Sequence, residues 1–134
     1  METRYAGTWR LMPELSFYEQ GDSPASGLYV IEVDADRVNF AVSWTDAAGT
    51  EHEAGYGGLV GTGTHEVSGA AGVTASFEHV APGVLDSSTF AGGHRIAYSR
   101  RRVSDDGSLL AVLQVTWHPD GRETRATQVY RRDA

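Results

Sequence analysis

Apolar and polar positions alternate with a period of two along most of this chain, the pattern of strands with one face against a core. The alternation is clearest over Arg37–Thr45, where Val38, Phe40, Val42 and Trp44 share one side and Asn39, Ala41, Ser43 and Thr45 the other. Before it, Leu28–Val33 reads as a strand turned by Asp34–Asp36. After it, Asp46–Gly49 is a turn and Glu51–Tyr56 a strand with Glu51 and Glu53 facing water. Val73–Val80 and Val84–Phe90 are strands joined by Ala81, Pro82 and Gly83. The final third is the most regular. His94–Val103, Leu109–Trp117 and Glu123–Arg131 are strands separated by Ser104–Gly107 and His118–Gly121, each ending in Asp-Gly. Asp-Gly between alternating runs is the strongest short-range hairpin signal, so these three strands form a meander. Helical periodicity never appears over a useful length.

Two regions are less determinate. Glu14–Gln20 either continues a first strand or makes a short excursion before the loop Gly21–Gly27, and no two-helix lid can be placed there. Between 57 and 72, Gly57, Gly58, Gly61, Gly63, Gly69 and Gly72 interrupt only Leu59, Val60 and Thr64–Val67. That stretch fits one short strand or a rim loop. An internal similarity also runs between Val33–Tyr56 and Val103–Tyr130: strand, acidic turn, strand ending in Trp44 or Trp117, glycine turn, strand ending in Tyr. It predicts either two similar half-barrels or no more than what β-meanders share.

About eight to ten strands with short turns and no crossover helices would leave exposed edges in an open sheet. Closing the sheet removes them, and roughly eight strands enclose space for side chains or one small ligand. The expected fold is therefore all-β, a closed antiparallel up-and-down β-barrel spanning residues 1–134 as a single domain. Gly7-Thr8-Trp9-Arg10-Leu11 suits the strand that closes it. Gly7 allows a bend, and the Trp9 indole plugs one end with a large apolar body.

Composition narrows the chemistry. With 134 residues a core needs no staples, and the absence of cysteine removes disulfides, thiol nucleophiles and cysteine metal sites. The N-terminus lacks an apolar signal core, which leads us to expect a cytoplasmic soluble protein. A net charge of −7 argues against nucleic-acid binding. The charge is uneven: residues 1–90 carry −10 and residues 91–134 carry +3, every cation being arginine.

Gly7-Thr8-Trp9-Arg10-Leu11 resembles the Gly-x-Trp signature of lipocalins, and Ala126–Arg132 is similar to the last strand of fatty-acid-binding proteins. With Arg101–Gly107 and Val129–Arg131 included, the chain resembles small bacterial lipocalin-like domains of the calycin superfamily. The resemblance implies a calycin barrel that binds a small apolar or amphipathic molecule non-covalently. In lipocalins a late arginine covers the tryptophan at the barrel base, which points here to Arg125 and Arg131. The fatty-acid-binding pattern places an arginine and a tyrosine of the last strand on a carboxylate; this chain has Tyr130 but Gln128 at the arginine's place.

The large inward groups expected are Phe40, Trp44, Tyr56, Phe77, Tyr98, Trp117 and Tyr130, with Gln114 and Gln128 as polar contacts that orient a ligand. Arg100–Arg102 lie on one strand, Arg100 and Arg102 with Tyr98 on one face and Arg101 with Ser99 and Val103 on the other. One of them looks interior, and Arg100 is taken as the ligand-facing arginine, able to pair with an anionic group. The histidines, His52, His65, His79, His94 and His118, have no metal-ligand spacing, so neither metal nor cofactor is expected. No nucleophile elbow is present. The leading reading is a carrier or sensor. The alternatives are a cyclase- or isomerase-type enzyme that holds a bulky apolar metabolite in one reactive conformer, and a structural domain with a packed core. A homodimer is compatible with each.

Overall fold

The computed structural model describes residues 3–61, 63–66 and 71–133. It is a nearly closed barrel of antiparallel strands. In chain order these are β1 (Gly7–Leu11), β2 (Phe17–Tyr18), β3 (Ser26–Asp34), β4 (Arg37–Thr45), β5 (Glu51–Leu59), β6 (His65–Glu66), β7 (Val73–Ala81), β8 (Val84–Ala91), β9 (His94–Val103), β10 (Leu109–Trp117) and β11 (Glu123–Arg132). Segment 14–20 is an excursion: a single 3-10 turn at Pro13–Leu15, then β2, which pairs with β11. In the glycine-rich stretch, β5 runs on to Leu59 and β6 supplies the short strand; Val67 and Gly69 lie outside the described residues. Among the described residues no helix is long and apolar enough to cross a membrane.

The sheet order β5-β4-β3-β1-β11-β10-β9-β8-β7-β6 is up-and-down, with the first strand joining the last. Trp9 pairs with Arg132 and Leu11 with Tyr130. The opposite seam is drawn together just past β5, where Val60 bridges Phe77 and the Gly61 amide donates to the Phe77 carbonyl at 2.8 Å. A Cβ on Gly58 would stand 2.8 Å from the Phe77 ring, so only glycine lets the seam close around that phenylalanine.

Period-two alternation places one set of side chains inside. At one end Tyr5, Trp9, Ile31, Val38, Leu85, Val103 and Leu110 pack into a core with almost no exposed surface. Gly7, at φ 140°, turns the chain so that the Tyr5 carbonyl accepts from the Trp9 indole at 3.0 Å. The plug is finished by Arg132. Its guanidinium lies 4.1 Å from the Trp9 ring and donates to the carbonyls of Gly107, Ala6 and Arg4 at 2.8, 2.9 and 2.7 Å.

This corrects the expected Arg125 and Arg131. Both share the outward parity of β11, Arg125 paired with Glu123 at 3.0 Å and Arg131 exposed, whereas Gln128, Tyr130 and Arg132 share the inward one. The half-barrel similarity also fails where it matters. Trp44 points inward, but Trp117 lies on the outer face, its indole donating to Glu123 at 2.8 Å beneath the Arg95 guanidinium.

Two outcomes test this end of the barrel. Arg132→Met removes three carbonyl contacts and a cation–π contact and should cost roughly 2–4 kcal/mol in urea unfolding, whereas Arg131→Ala should stay within roughly 0.5 kcal/mol. In the β9–β10 turn, hydrogen bonds from Ser108 and Ser104 hold the Asp106 carboxyl at about 2. Its folded-state pKa is lowered, so its contribution is present above the ordinary aspartate range and lost as pH falls through about 2. The stability gap between wild type and Asp106→Ala should therefore narrow between about pH 5 and about pH 2.

Candidate functional site

Beyond this core the interior is open. Small inward side chains, Gly27, Ala54, Ser87 and Ser99, leave a cavity of about 350 Å³ at the end bounded by the β4–β5 and β10–β11 turns. That volume falls within the roughly 300–1,000 Å³ of small-molecule sites. Leu11, Val42, Trp44 and Val112 form its apolar wall, Pro24 and Tyr18 stand by the excursion, and Tyr29, Tyr56, Tyr130, Gln114, Gln128, Ser99 and Arg101 supply its polar atoms.

Among the described residues of that lining Arg101 alone is charged, and it is 1% exposed. Its Nε donates to the Tyr29 hydroxyl at 2.7 Å, its Nη1 to Ser87 Oγ at 2.9 Å and its Nη2 to the Tyr56 hydroxyl. The guanidinium carbon lies 4.2 Å from the centre of the Phe40 ring. Its hydrogen-bond partners are thus neutral hydroxyls, with an aromatic face alongside. Burial opposes the charge and the phenol oxygens of Tyr29 and Tyr56 uphold it, so the guanidinium stays protonated. Tyr29 and Tyr56 accept from Arg101 and also hydrogen-bond each other, so the pair keeps one hydroxyl proton to donate. Burial, partly offset by the charge of Arg101, pushes the Tyr29 phenol far above the ordinary tyrosine range; burial does the same to Tyr130.

Register explains why Arg101 rather than Arg100 enters. Arg101 stands opposite Leu85 and Val112, and Ser99 opposite Ser87 and Gln114, all inward positions. Arg100 stands opposite Asp86 on the outer face and binds it through Nε at 2.7 Å and Nη2 at 2.9 Å. Tyr98 shares that outer face and donates to Asp86 at 2.8 Å. Arg100, Tyr98 and Trp117 are therefore removed from the expected ligand-facing set.

Of the remaining expected residues, Trp44, Tyr56, Gln114, Gln128 and Tyr130 line the cavity. Phe40 and Phe77 belong to the core beside it, their rings 5.8 Å apart, with Phe40 flanking the guanidinium. Tyr29, Ser87 and Ser99 are the residues that sequence reasoning did not single out. The facing small polar pair Ser87 and Ser99 was the available signal, since such residues on an inward face mark space or a buried polar partner. The histidines do not converge. His52 stacks on Trp44 at the rim and contacts Asp46 at 2.8 Å, and His118 contacts Thr124 at 2.9 Å. Among the described residues no three His, Asp or Glu side chains gather as a metal site would require.

Neither a protein-family model nor a curated protein sequence matches the chain. Solved structures do. The wild-type fluorescent protein UnaG aligns with a TM-score of 0.65 at 17% identity, over 98% of this chain and 99% of that one. The zebrafish ileal bile acid-binding protein, complexed with cholic acid, aligns with a TM-score of 0.58 at 12% identity, over 96% and 98%. The siderocalin Ex-FABP, described as functioning through dual ligand specificities, aligns with a TM-score of 0.51 at 12% identity, over 97% and 74%. At these identities the likeness establishes architecture alone: the protein has the fold of the calycin barrels, the group to which lipocalins and fatty-acid-binding proteins belong.

Proposed function

We propose that the protein binds one small amphipathic molecule non-covalently inside its barrel, as a carrier or sensor, with an acidic group of that molecule on Arg101. The observation that carries this reading is a buried guanidinium, whose hydrogen-bond partners among the described residues are hydroxyls, beside a cavity of about 350 Å³. A buried cation without a counter-ion costs several kcal/mol that neutral partners recover incompletely. An anion supplied by a ligand would offset that cost and would also accept a hydrogen bond from the Tyr29–Tyr56 pair. The apolar wall of Leu11, Val42, Trp44 and Val112 then takes the hydrocarbon part. The zebrafish neighbour, complexed with an acidic amphiphile, is in keeping with this division.

The lining favours retention over turnover. Among the described residues that line the cavity there is no histidine or carboxylate, His52 and Asp46 standing outside Trp44 at the rim, and the phenols of Tyr29 and Tyr130 are held far from neutral pH. An isomerase-type reaction would need an acid or base poised near the working pH.

The test compares decanoate with decanol by isothermal titration, using wild type and Arg101→Met. Wild type should bind decanoate at a single site and prefer it to decanol. Arg101→Met should lose roughly ten- to a hundredfold in decanoate affinity, the worth of charged hydrogen bonds, while decanol changes little. The same variant should unfold within roughly 1 kcal/mol of wild type, or at higher urea, because it removes a buried charge. Absence of saturable binding, or unchanged decanoate affinity in Arg101→Met, would overturn the reading.

A further inference from the structure

The wall beside Arg101 carries a second polar device. Val112 on β10 stands opposite Arg101 on one side and Gln128 of β11 on the other, so Arg101 and Gln128 occupy one inward row two strands apart. Strand spacing sets their Cα atoms roughly 10 Å apart. The guanidinium reaches away toward Tyr29 of β3 and Tyr56 of β5, leaving the Gln128 side of the cavity without charge. Gln114 sits one inward row nearer the mouth, opposite Ser99.

These amides form a chain. The Tyr130 hydroxyl donates to Gln128 Oε1 at 2.9 Å, and Gln128 Nε2 donates to Gln114 Oε1 at 3.1 Å. Gln128 also hydrogen-bonds the Tyr18 hydroxyl. The ends of the chain at Tyr130 and Tyr18 are phenols, which donate or accept equally well. The amides can therefore turn over together, and Gln114 presents either its NH2 or its carbonyl to whatever enters. Such a device suits an uncharged partner that both gives and takes hydrogen bonds. It suits a second carboxylate badly: Gln114 is exposed, but Arg125, which shares the adjoining groove with Gln114 and Tyr18, is already paired with Glu123 at 3.0 Å, so that group would exchange part of its water for neutral amides.

We propose that the ligand is a monoanionic amphiphile bearing one uncharged hydrogen-bonding group, a hydroxyl or an amide, which Gln114 and Gln128 recognise while Arg101 takes the anion. The inference rests on the carrier or sensor reading above and adds the specificity of the second wall.

Titrations with decanoate, ω-hydroxydecanoate and the diacid sebacate separate the two claims. In wild type the hydroxy acid should bind at least as tightly as decanoate, and sebacate at least about tenfold more weakly. Gln128→Leu should weaken the hydroxy acid about fivefold more than it changes decanoate, the worth of one neutral hydrogen bond. Gln114→Leu should act in the same direction. Gln128→Arg, which places a cation on this wall, should raise sebacate affinity at least about tenfold. Decanoate binding that depends on Arg101 but is accompanied by equal losses of decanoate and hydroxy acid in both leucine variants would overturn this inference and leave the parent reading intact. Failure of wild type to bind decanoate at all would overturn both.

Discussion

A positive charge held inside a barrel, with hydroxyls and an aromatic face as its surroundings, is the constraint around which this interior is arranged. Tyr29, Tyr56 and Ser87 come from three different strands, and all three turn oxygen toward the Arg101 guanidinium. Phe40 lies alongside at 4.2 Å. These contacts keep the cation in one place without neutralising it. A carboxylate in the same position would have made a closed ion pair, inert toward anything entering from the mouth. Neutral acceptors leave the charge available, and the hydrogen-bonded Tyr29–Tyr56 pair keeps one proton ready for an incoming anion.

The two ends of the barrel use arginine in opposite ways. At the closed end Arg132 spends its donors on backbone carbonyls of the N-terminal segment and the β9–β10 turn, fastening Trp9 beneath it. Large apolar groups fill that end with little surface left exposed. Toward the mouth the inward positions become small or polar, as with Gly27, Ala54, Ser87, Ser99, Gln114 and Gln128, and the same sheet encloses space instead of packing solid. A tight base resists collapse of the wall above it, and the open half supplies the room a ligand needs. The outer face of β8–β10 carries its own ion pair and cation–π contacts, Asp86 with Arg100 and Arg95 over Tyr98 and Trp117, and Val115, opposite Tyr98, is buried there.

The barrel was legible because its evidence is local: period-two alternation, two Asp-Gly turns and a glycine–tryptophan opening each report on neighbouring residues. The site was legible only in part, because it depends on which parity of each strand faces inward. In β4 the two faces differ sharply, and Phe40 and Trp44 point inward as the alternation predicts, Phe40 into the core and Trp44 beside the cavity. In β10 the odd positions, Leu109, Leu113, Val115 and Trp117, are the more apolar, yet the even ones, Leu110, Val112 and Gln114, point inside. Tyr98 of β9 stands opposite Val115 and Arg95 lies over Trp117, a tertiary effect that no single strand reveals, while Leu109 stays exposed. The same ambiguity displaced the expectation from Arg101 to Arg100 and from Arg132 to Arg131, each a shift of one residue that reverses the face. Tyr29 escaped notice because its partner, Arg101, is 72 residues away in the chain.

A crystal structure of the protein soaked with decanoate would show where the anion sits. The carboxylate is expected within hydrogen-bonding distance of the Arg101 guanidinium and at least one of the Tyr29 and Tyr56 hydroxyls, with the hydrocarbon chain running past Val42 and Val112 toward Trp44. A carboxylate lying at the mouth with its hydrocarbon tail against Arg101, or an interior in which side chains have closed over the cavity, would contradict it.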